Sequence, residues 1–180
     1  MSTNYQYPAT EFDAKPRSAS SYRVLLFLLT FAVVIADRIT KLFIAHHLPL
    51  GSAHVVIPHV LRITHVLNTG AAFSMFADSL SPGAVRWSLI GFSVVAILIV
   101  LYMLWRVSLE LSLSSVALAL ILGGAIGNLY DRIHLHYVID FIEVTIVHYH
   151  WPDFNVADSC IVIGACLLVI EIFRPQPIDS

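Results

Sequence analysis

The chain has 180 residues, 58% hydrophobic and 12% charged, with a mean hydropathy of +0.80 and a formal net charge of −2. Soluble domains carry about 45–50% apolar and about 25% charged residues, so this composition excludes a water-soluble globule and a disordered chain. A nucleic-acid binder is excluded as well, because no Lys/Arg cluster supplies the basic footprint that phosphates require. Cys160 and Cys166 fall inside one apolar run, which excludes a disulfide framework and fits two small apolar side chains.

In chain order, Ser2 to Ser21 is rich in Ser, Tyr and Pro and reads as a disordered tail covering residues 1–21. The first apolar span runs from Tyr22 to Ile44, its outer third interrupted by Asp37, Arg38 and Lys41. Its charge-free core, Val24 to Ala36, has the length of a signal-peptide core. Polar residues precede it and no A-x-A cleavage site follows, so an uncleaved span is expected. A long loop from His46 to Arg86 comes next, in which Leu61, Ile63 and Leu67 alternate with Arg62, Thr64 and Val66. Trp87 to Trp105 and Leu111 to Tyr130 are two charge-free spans separated by a short turn. A second loop, Asp131 to Asn155, contains the β-branched run Val138 to His150, so short strands are expected in both loops. Val156 to Phe173 is the fourth span, and Arg174 to Ser180 is a short tail.

Each span is near the ~20 residues a helix needs to cross ~30 Å of hydrocarbon. The expected fold is an all-α membrane protein with four transmembrane helices in one domain, residues 22–173. Trp87, Trp105 and Trp151 fall where an interfacial aromatic belt lies. Four spans bring both termini to one side together with Arg106. With the helix-borne Arg38 and Lys41 set aside, that side holds five cations (Lys15, Arg17, Arg23, Arg106, Arg174) against three (Arg62, Arg86, Arg132). By the positive-inside rule both termini are cytoplasmic. All nine histidines are assigned to the two loops of the opposite face.

Polar side chains near span ends are functional candidates because lipid makes them costly. Here Asp37, Asn68, Asn128, Asp131, Arg132, Asp140, Asn155 and Asp158 gather at roughly one depth. Several have structural explanations. Gly123 and Gly127 form a G-x-x-x-G packing notch. Asp37 and Lys41, at i and i+4, suit an intrahelical ion pair, and Asn128, Asp131 and Arg132 share a helix face that either ends the helix or braces a site. Asn155 and Asp158 resemble an N-cap with an acid at N3. Asp140 has no such explanation: among Val138, Ile139, Phe141 and Ile142 a lone carboxylate is heavily penalised by desolvation.

Two close carboxylates that share one proton satisfy both. Asp140 and Asp158, eighteen residues apart, are the candidate pair, one ionised to activate water and one protonated to polarise a peptide. If Asp158 lies in a first helical turn its charge is favoured, and Asp140 holds the proton. The histidines invite a metal, yet no H-E-x-x-H or H-x-x-E-H occurs, and no G-x-S-x-G announces a serine nucleophile. No metal and no organic cofactor is expected.

The segments Asn68-Thr-Gly-Ala-Ala-Phe-Ser74, Gly123-Gly-Ala-Ile-Gly-Asn-Leu-Tyr-Asp-Arg132, Val138-Ile-Asp-Phe141 and Phe154-Asn-Val-Ala-Asp158 together resemble the bacterial lipoprotein signal peptidases, the type II signal peptidases. The resemblance spans residues 22 to 173. It implies an aspartyl endopeptidase of the inner membrane with a small extracytoplasmic β-sheet formed by the two loops. It further implies removal of the signal peptide from prolipoproteins just before a diacylglyceryl-modified cysteine, and inhibition by globomycin. By position the catalytic aspartates are Asp140 and Asp158, and the other site residues are Asp37, Asn68, Gly70, Asn128, Asp131, Arg132 and Asn155. A monomer acting in contact with membrane lipid, without nucleic acid, is expected. Arg38 stands where the family more often has glutamine. Two readings from other classes are a small proton-coupled transporter using buried aspartates and a non-catalytic scaffold, the latter leaving Asp140 unexplained.

Overall fold

The computed structural model describes residues 19–70 and 81–174. Within them the chain is mostly helical, with four helices and a small antiparallel sheet. The helices are α1 (Ala19–His47), α2 (Pro82–Val107), α3 (Leu113–His134) and α4 (Val156–Ile172). The strands are β1 (Ala53–Ile57), β2 (Leu61–Asn68), β3 (Val138–Ile146) and β4 (Tyr149–His150), ordered β1-β2-β3-β4. The tail assigned to residues 1–21 lies outside the described residues up to position 18, as do residues 175–180 and the Ala71–Ser74 part of the first motif.

The helix ends follow from local chemistry. Ser81 caps α2, its hydroxyl accepting from the Ala84 N–H, and Pro82 opens the helix where a missing N–H costs nothing. The second helix therefore begins five residues before the expected Trp87. Ser112 and Ser115 form a reciprocal capping box at the start of α3. His46, His47 and His134 sit in the last turns of α1 and α3, a position favourable to cations. The assignment of all nine histidines to loops is corrected for these three. Two helical segments, Gly83–Val107 and Leu113–His134, are long and apolar enough to cross a membrane, with mean hydropathies of 2.4 and 1.7.

Helix α3 is central, packing on α1, α2 and α4. Leu118 and Leu122 of α3 form a buried cluster with Leu26 of α1 and Leu104 of α2. Glycines set how near the neighbours come. A Cβ on Gly123 would lie 2.7 Å from Val33 Cβ and 2.8 Å from the Thr30 carbonyl oxygen of α1. On the other flank, a Cβ on Gly124 would strike the Ala157 carbonyl of α4, and one on Gly164 would lie 2.7 Å from the Ala117 carbonyl oxygen. The expected G-x-x-x-G notch thus faces α1, and Gly124 extends close contact to α4.

The sheet stands over one end of the helices. Ile139 and Phe141 of β3 pack with Ile44 of α1 in a second buried cluster. Arg62 of β2 lies directly opposite Glu143 of β3, and its guanidinium pairs with that carboxylate through contacts of 2.5–3.0 Å, holding the Glu143 carboxyl below the usual range. At the opposite end, Arg23 Nε donates to Ser108 Oγ (3.0 Å) and its guanidinium lies 4.3 Å from the Trp105 ring, joining the start of α1 to the α2–α3 turn.

Replacing Gly124 by Leu should push α4 off α3. It should cost at least about 1–3 kcal/mol, the usual penalty of overpacking. A thermal melt in detergent should show a clearly lowered midpoint for Gly124→Leu. Gly91→Ala, where an added Cβ meets nothing within 4 Å, should melt no lower than the parent.

Candidate active site

Three short connections bring the polar residues together. Asn68 of β2 is opposite Val138, so Asp140, two residues further along β3, is its diagonal neighbour on the same sheet face. Asn68 Nδ2 donates to Asp140 Oδ2 at 2.9 Å. Asn68 Oδ1 accepts the Gly70 N–H at 2.8 Å, a side-chain turn that leaves Gly70 at φ +89°, where only glycine is unstrained.

The second connection runs along the other edge of β3. Phe154 pairs with Ile142: its N–H donates to the Ile142 carbonyl (3.0 Å), and its own carbonyl accepts from Phe141 and Ile142 (3.0 and 2.8 Å). That register delivers Asn155 to Asp140. Asn155 then caps α4 in the arrangement expected from sequence, its Oδ1 accepting the Asp158 N–H (2.9 Å) while Asp158 Oδ2 accepts the Asn155 N–H (3.3 Å). The rest of the carboxamide turns outward from the helix, and Nδ2 donates to Asp140 Oδ1 at 2.7 Å. One buried residue therefore touches both carboxylates.

The third connection comes from α3 and α1. Asn128 Nδ2 donates to Asp158 Oδ1 at 2.7 Å, and its Oδ1 accepts from Asn155 Nδ2 (3.3 Å) and Lys41 Nζ (3.1 Å). Lys41 is fully buried, 2.7 Å from Asp37 Oδ2 and 2.9 Å from Asp131 Oδ2. The Asp37–Lys41 pair is intrahelical, as its spacing suggests, and also more than that: Asp37 Oδ1 accepts the free Ala157 N–H in the first turn of α4 (3.0 Å). Gly127 leaves room for this, since a Cβ there would lie 2.7 Å from Asp37 Oδ2. Arg38 donates to Asp131 Oδ1 (3.1 Å) and lies 4.8 Å from the Tyr130 ring. Arg132 donates to the Asn128 carbonyl (3.3 Å) and faces the charges of Asp158, Asp140 and Asp131.

Of the sequence-derived candidates, Asp37, Asn68, Asn128, Asp131, Asp140, Asn155 and Asp158 form one continuous hydrogen-bond and ion-pair network; Gly70 joins it through Asn68 and Arg132 through the Asn128 backbone. Lys41 belongs to it too, beyond the Asp37 pairing that its spacing suggests. Its signal was available: a lysine inside an apolar span needs a buried acceptor set.

Asp140 is buried, and that burial pushes its carboxyl up to about 6. The hydrogen bonds from Asn68 and Asn155 oppose the shift, and the nearby Asp158 charge adds to it. Beside Asp158 a groove of about 360 Å³ is lined by Trp151, Phe154, Asp158, Ser159, Val162 and Ile163. Among the described residues no group of three or more His, Cys, Asp or Glu is arranged to hold a metal ion.

The model of the family described as Signal peptidase (SPase) II matches residues 29–174. The chain is 41% identical over 162 residues to a lipoprotein signal peptidase of Pseudomonas putida, covering 89% of this chain and 94% of that one. It is 38% identical over 164 residues to the lipoprotein signal peptidase of Salmonella newport, covering 91% and 96%. A bacterial membrane enzyme solved by the in meso method at 1.9 Å resolution superposes with a TM-score of 0.69 at 33% identity, over 85% of this chain and 95% of that one. A second such enzyme, at 2.3 Å resolution, gives 0.67 at 30% identity over 87% and 95%. The chain belongs to the signal peptidase II family.

Proposed function

We propose that the protein is an aspartic endopeptidase that cleaves diacylglyceryl-modified prolipoproteins immediately before the lipidated cysteine, with Asp140 and Asp158 as its catalytic pair. The observation that carries this reading is the coupling of two carboxylates through Asn155 at the polar end of an apolar groove. Asp158 sits at N3 of α4, where the helix dipole favours its charge, and takes a proton from the attacking water. Asp140, raised by burial, holds the proton that polarises the scissile carbonyl and then passes to the leaving amine. Water adds to the peptide carbon, the C–N bond breaks, and the dyad returns to one shared proton. The groove along Trp151, Val162 and Ile163 suits an apolar substrate segment in lipid. Asn68 and Arg132 orient the substrate backbone or the dyad.

The same proposal includes four membrane spans within residues 22–173, cytoplasmic tails at 1–21 and 174–180, and an active site near the periplasmic face of the inner membrane. Its supports are the exposed apolar surfaces of α1 (Leu28, Phe31, Ile39) and α4 (Val162, Val169, Ile170), the cation count, and the clustering of sheet and acids at one end. A monomer that globomycin inhibits is part of this reading. The transporter alternative has no support: the named relatives are peptidases, and the four acids meet at one site instead of forming a relay.

Asp140→Asn and Asp158→Asn should each lower cleavage of a lipidated precursor by at least about 10³-fold, with the fold retained by circular dichroism. Wild-type turnover by either variant would remove the dyad. Activity requires the singly protonated pair, so kcat/KM should decline as pH rises through an apparent value near the 6 of Asp140. A profile flat from pH about 5 to about 8 contradicts this assignment of the proton.

A further inference from the structure

Lys41 lies beneath the dyad and touches neither acid directly. Its ammonium, a donor with no acceptor, donates to Asp37 Oδ2 and Asn128 Oδ1 and lies in ion-pair contact with Asp131 Oδ2. Charge balance alone does not need the contact to Asn128. Lys41 and Arg38 already match Asp37 and Asp131, and Arg38 reaches Asp131 at 3.1 Å. A buried ion cluster of this kind is also a weak source of stability, since desolvation cancels much of the attraction.

The contact to Asn128 has a chemical consequence. A carboxamide has an acceptor end and a donor end, so fixing one fixes the other. With Oδ1 held by Lys41 Nζ (3.1 Å) and Asn155 Nδ2 (3.3 Å), the Asn128 NH2 is aimed at Asp158 Oδ1 (2.7 Å). Turning the amide over would set its oxygen against the Asp158 carboxylate and its NH2 against an ammonium. Both contacts are repulsive. The turned form would withdraw the donor that Asn128 aims at the Asp158 carboxylate.

We propose that Lys41 is a positioning residue for catalysis, locking the Asn128 carboxamide in the orientation that donates to Asp158. The inference rests on the peptidase reading, because it assigns a role to the amide only through the dyad. Asp37 provides the second anchor: it orients the ammonium and, through the Ala157 N–H, fixes the helix turn that carries Asp158.

The test is a double-mutant cycle on Lys41→Met and Asn128→Ala in the Asp37→Asn background, where removal of the Lys41 charge leaves Arg38 matched by Asp131. Cleavage of a lipidated precursor by the full chain in detergent is compared for Asp37→Asn, Asp37→Asn/Lys41→Met, Asp37→Asn/Asn128→Ala and the triple variant. Loss of Lys41 should lower kcat about 10²-fold, the usual scale for a misplaced catalytic group, with KM changed by less than about twofold. The triple variant should be no slower than Asp37→Asn/Asn128→Ala, because both changes remove one device. Losses that multiply, an unchanged kcat, or a Lys41→Met variant that fails to fold would each overturn the proposal and leave Lys41 a structural role only. Asp140→Asn and Asp158→Asn, assayed in parallel, separate the two readings. Retained cleavage there removes the dyad itself, whereas lost cleavage with multiplying losses in the cycle removes only the role of Lys41.

Discussion

A carboxylate buried on a strand among apolar neighbours must recover its lost hydration from fixed donors, and Asp140 is built around that constraint. Its oxygens accept from Asn68 and Asn155, one amide from each side of β3. These two bonds stop short of offsetting burial, and the carboxyl stays near 6. Incomplete compensation is what makes the group useful. A fully compensated acid would ionise like any surface aspartate, and an uncompensated one would stay neutral throughout. Held between those limits, Asp140 suits the proton-sharing role proposed for it beside Asp158.

The remaining architecture keeps that arrangement in place. Asn155 is at once the helix cap of α4 and the bridge between the acids, so a single side-chain conformation sets the helix end and the placement of the two carboxylates. Helix α3 lies between α1 and α4, and its glycines let both approach closely enough for Asp37 to reach the Ala157 amide and Asn128 to reach Asp158. Buried polar networks are stable only when nearly every member is satisfied, and this one distributes its partners over three helices and two strands. Its charges are concentrated at one end of the molecule, while the cluster around Leu26, Leu104 and Leu122 is wholly apolar.

Much of this was legible in the sequence. The apolar runs located all four helices, because hydrophobic length is a strong signal, and Asn155 with Asp158 announced an N-cap three residues before its acid. The isolation of Asp140 in a β-branched run was the best single pointer to the site, since nothing local could satisfy it. Helix ends were less legible. Ser81 and Pro82 start α2 ahead of its apolar core, and α1 and α3 continue through His47 and His134, because caps and dipole contacts act beyond the reach of hydropathy. The sequence around Lys41 points no further than its i, i+4 partner, because its contacts to Asn128 and Asp131 come from a helix more than eighty residues away. The pairing of Phe154 with Ile142, which brings Asn155 to Asp140, likewise carries no sequence pattern.

Infrared difference spectroscopy tests, without any assay of cleavage, whether one proton is shared by Asp140 and Asp158. A pH titration of the full chain should show one protonated-carboxyl band that persists above the ordinary carboxylate range and is lost in both Asp140→Asn and Asp158→Asn. A band that survives either substitution unchanged, or no such band in the parent protein near pH about 5, contradicts the shared proton.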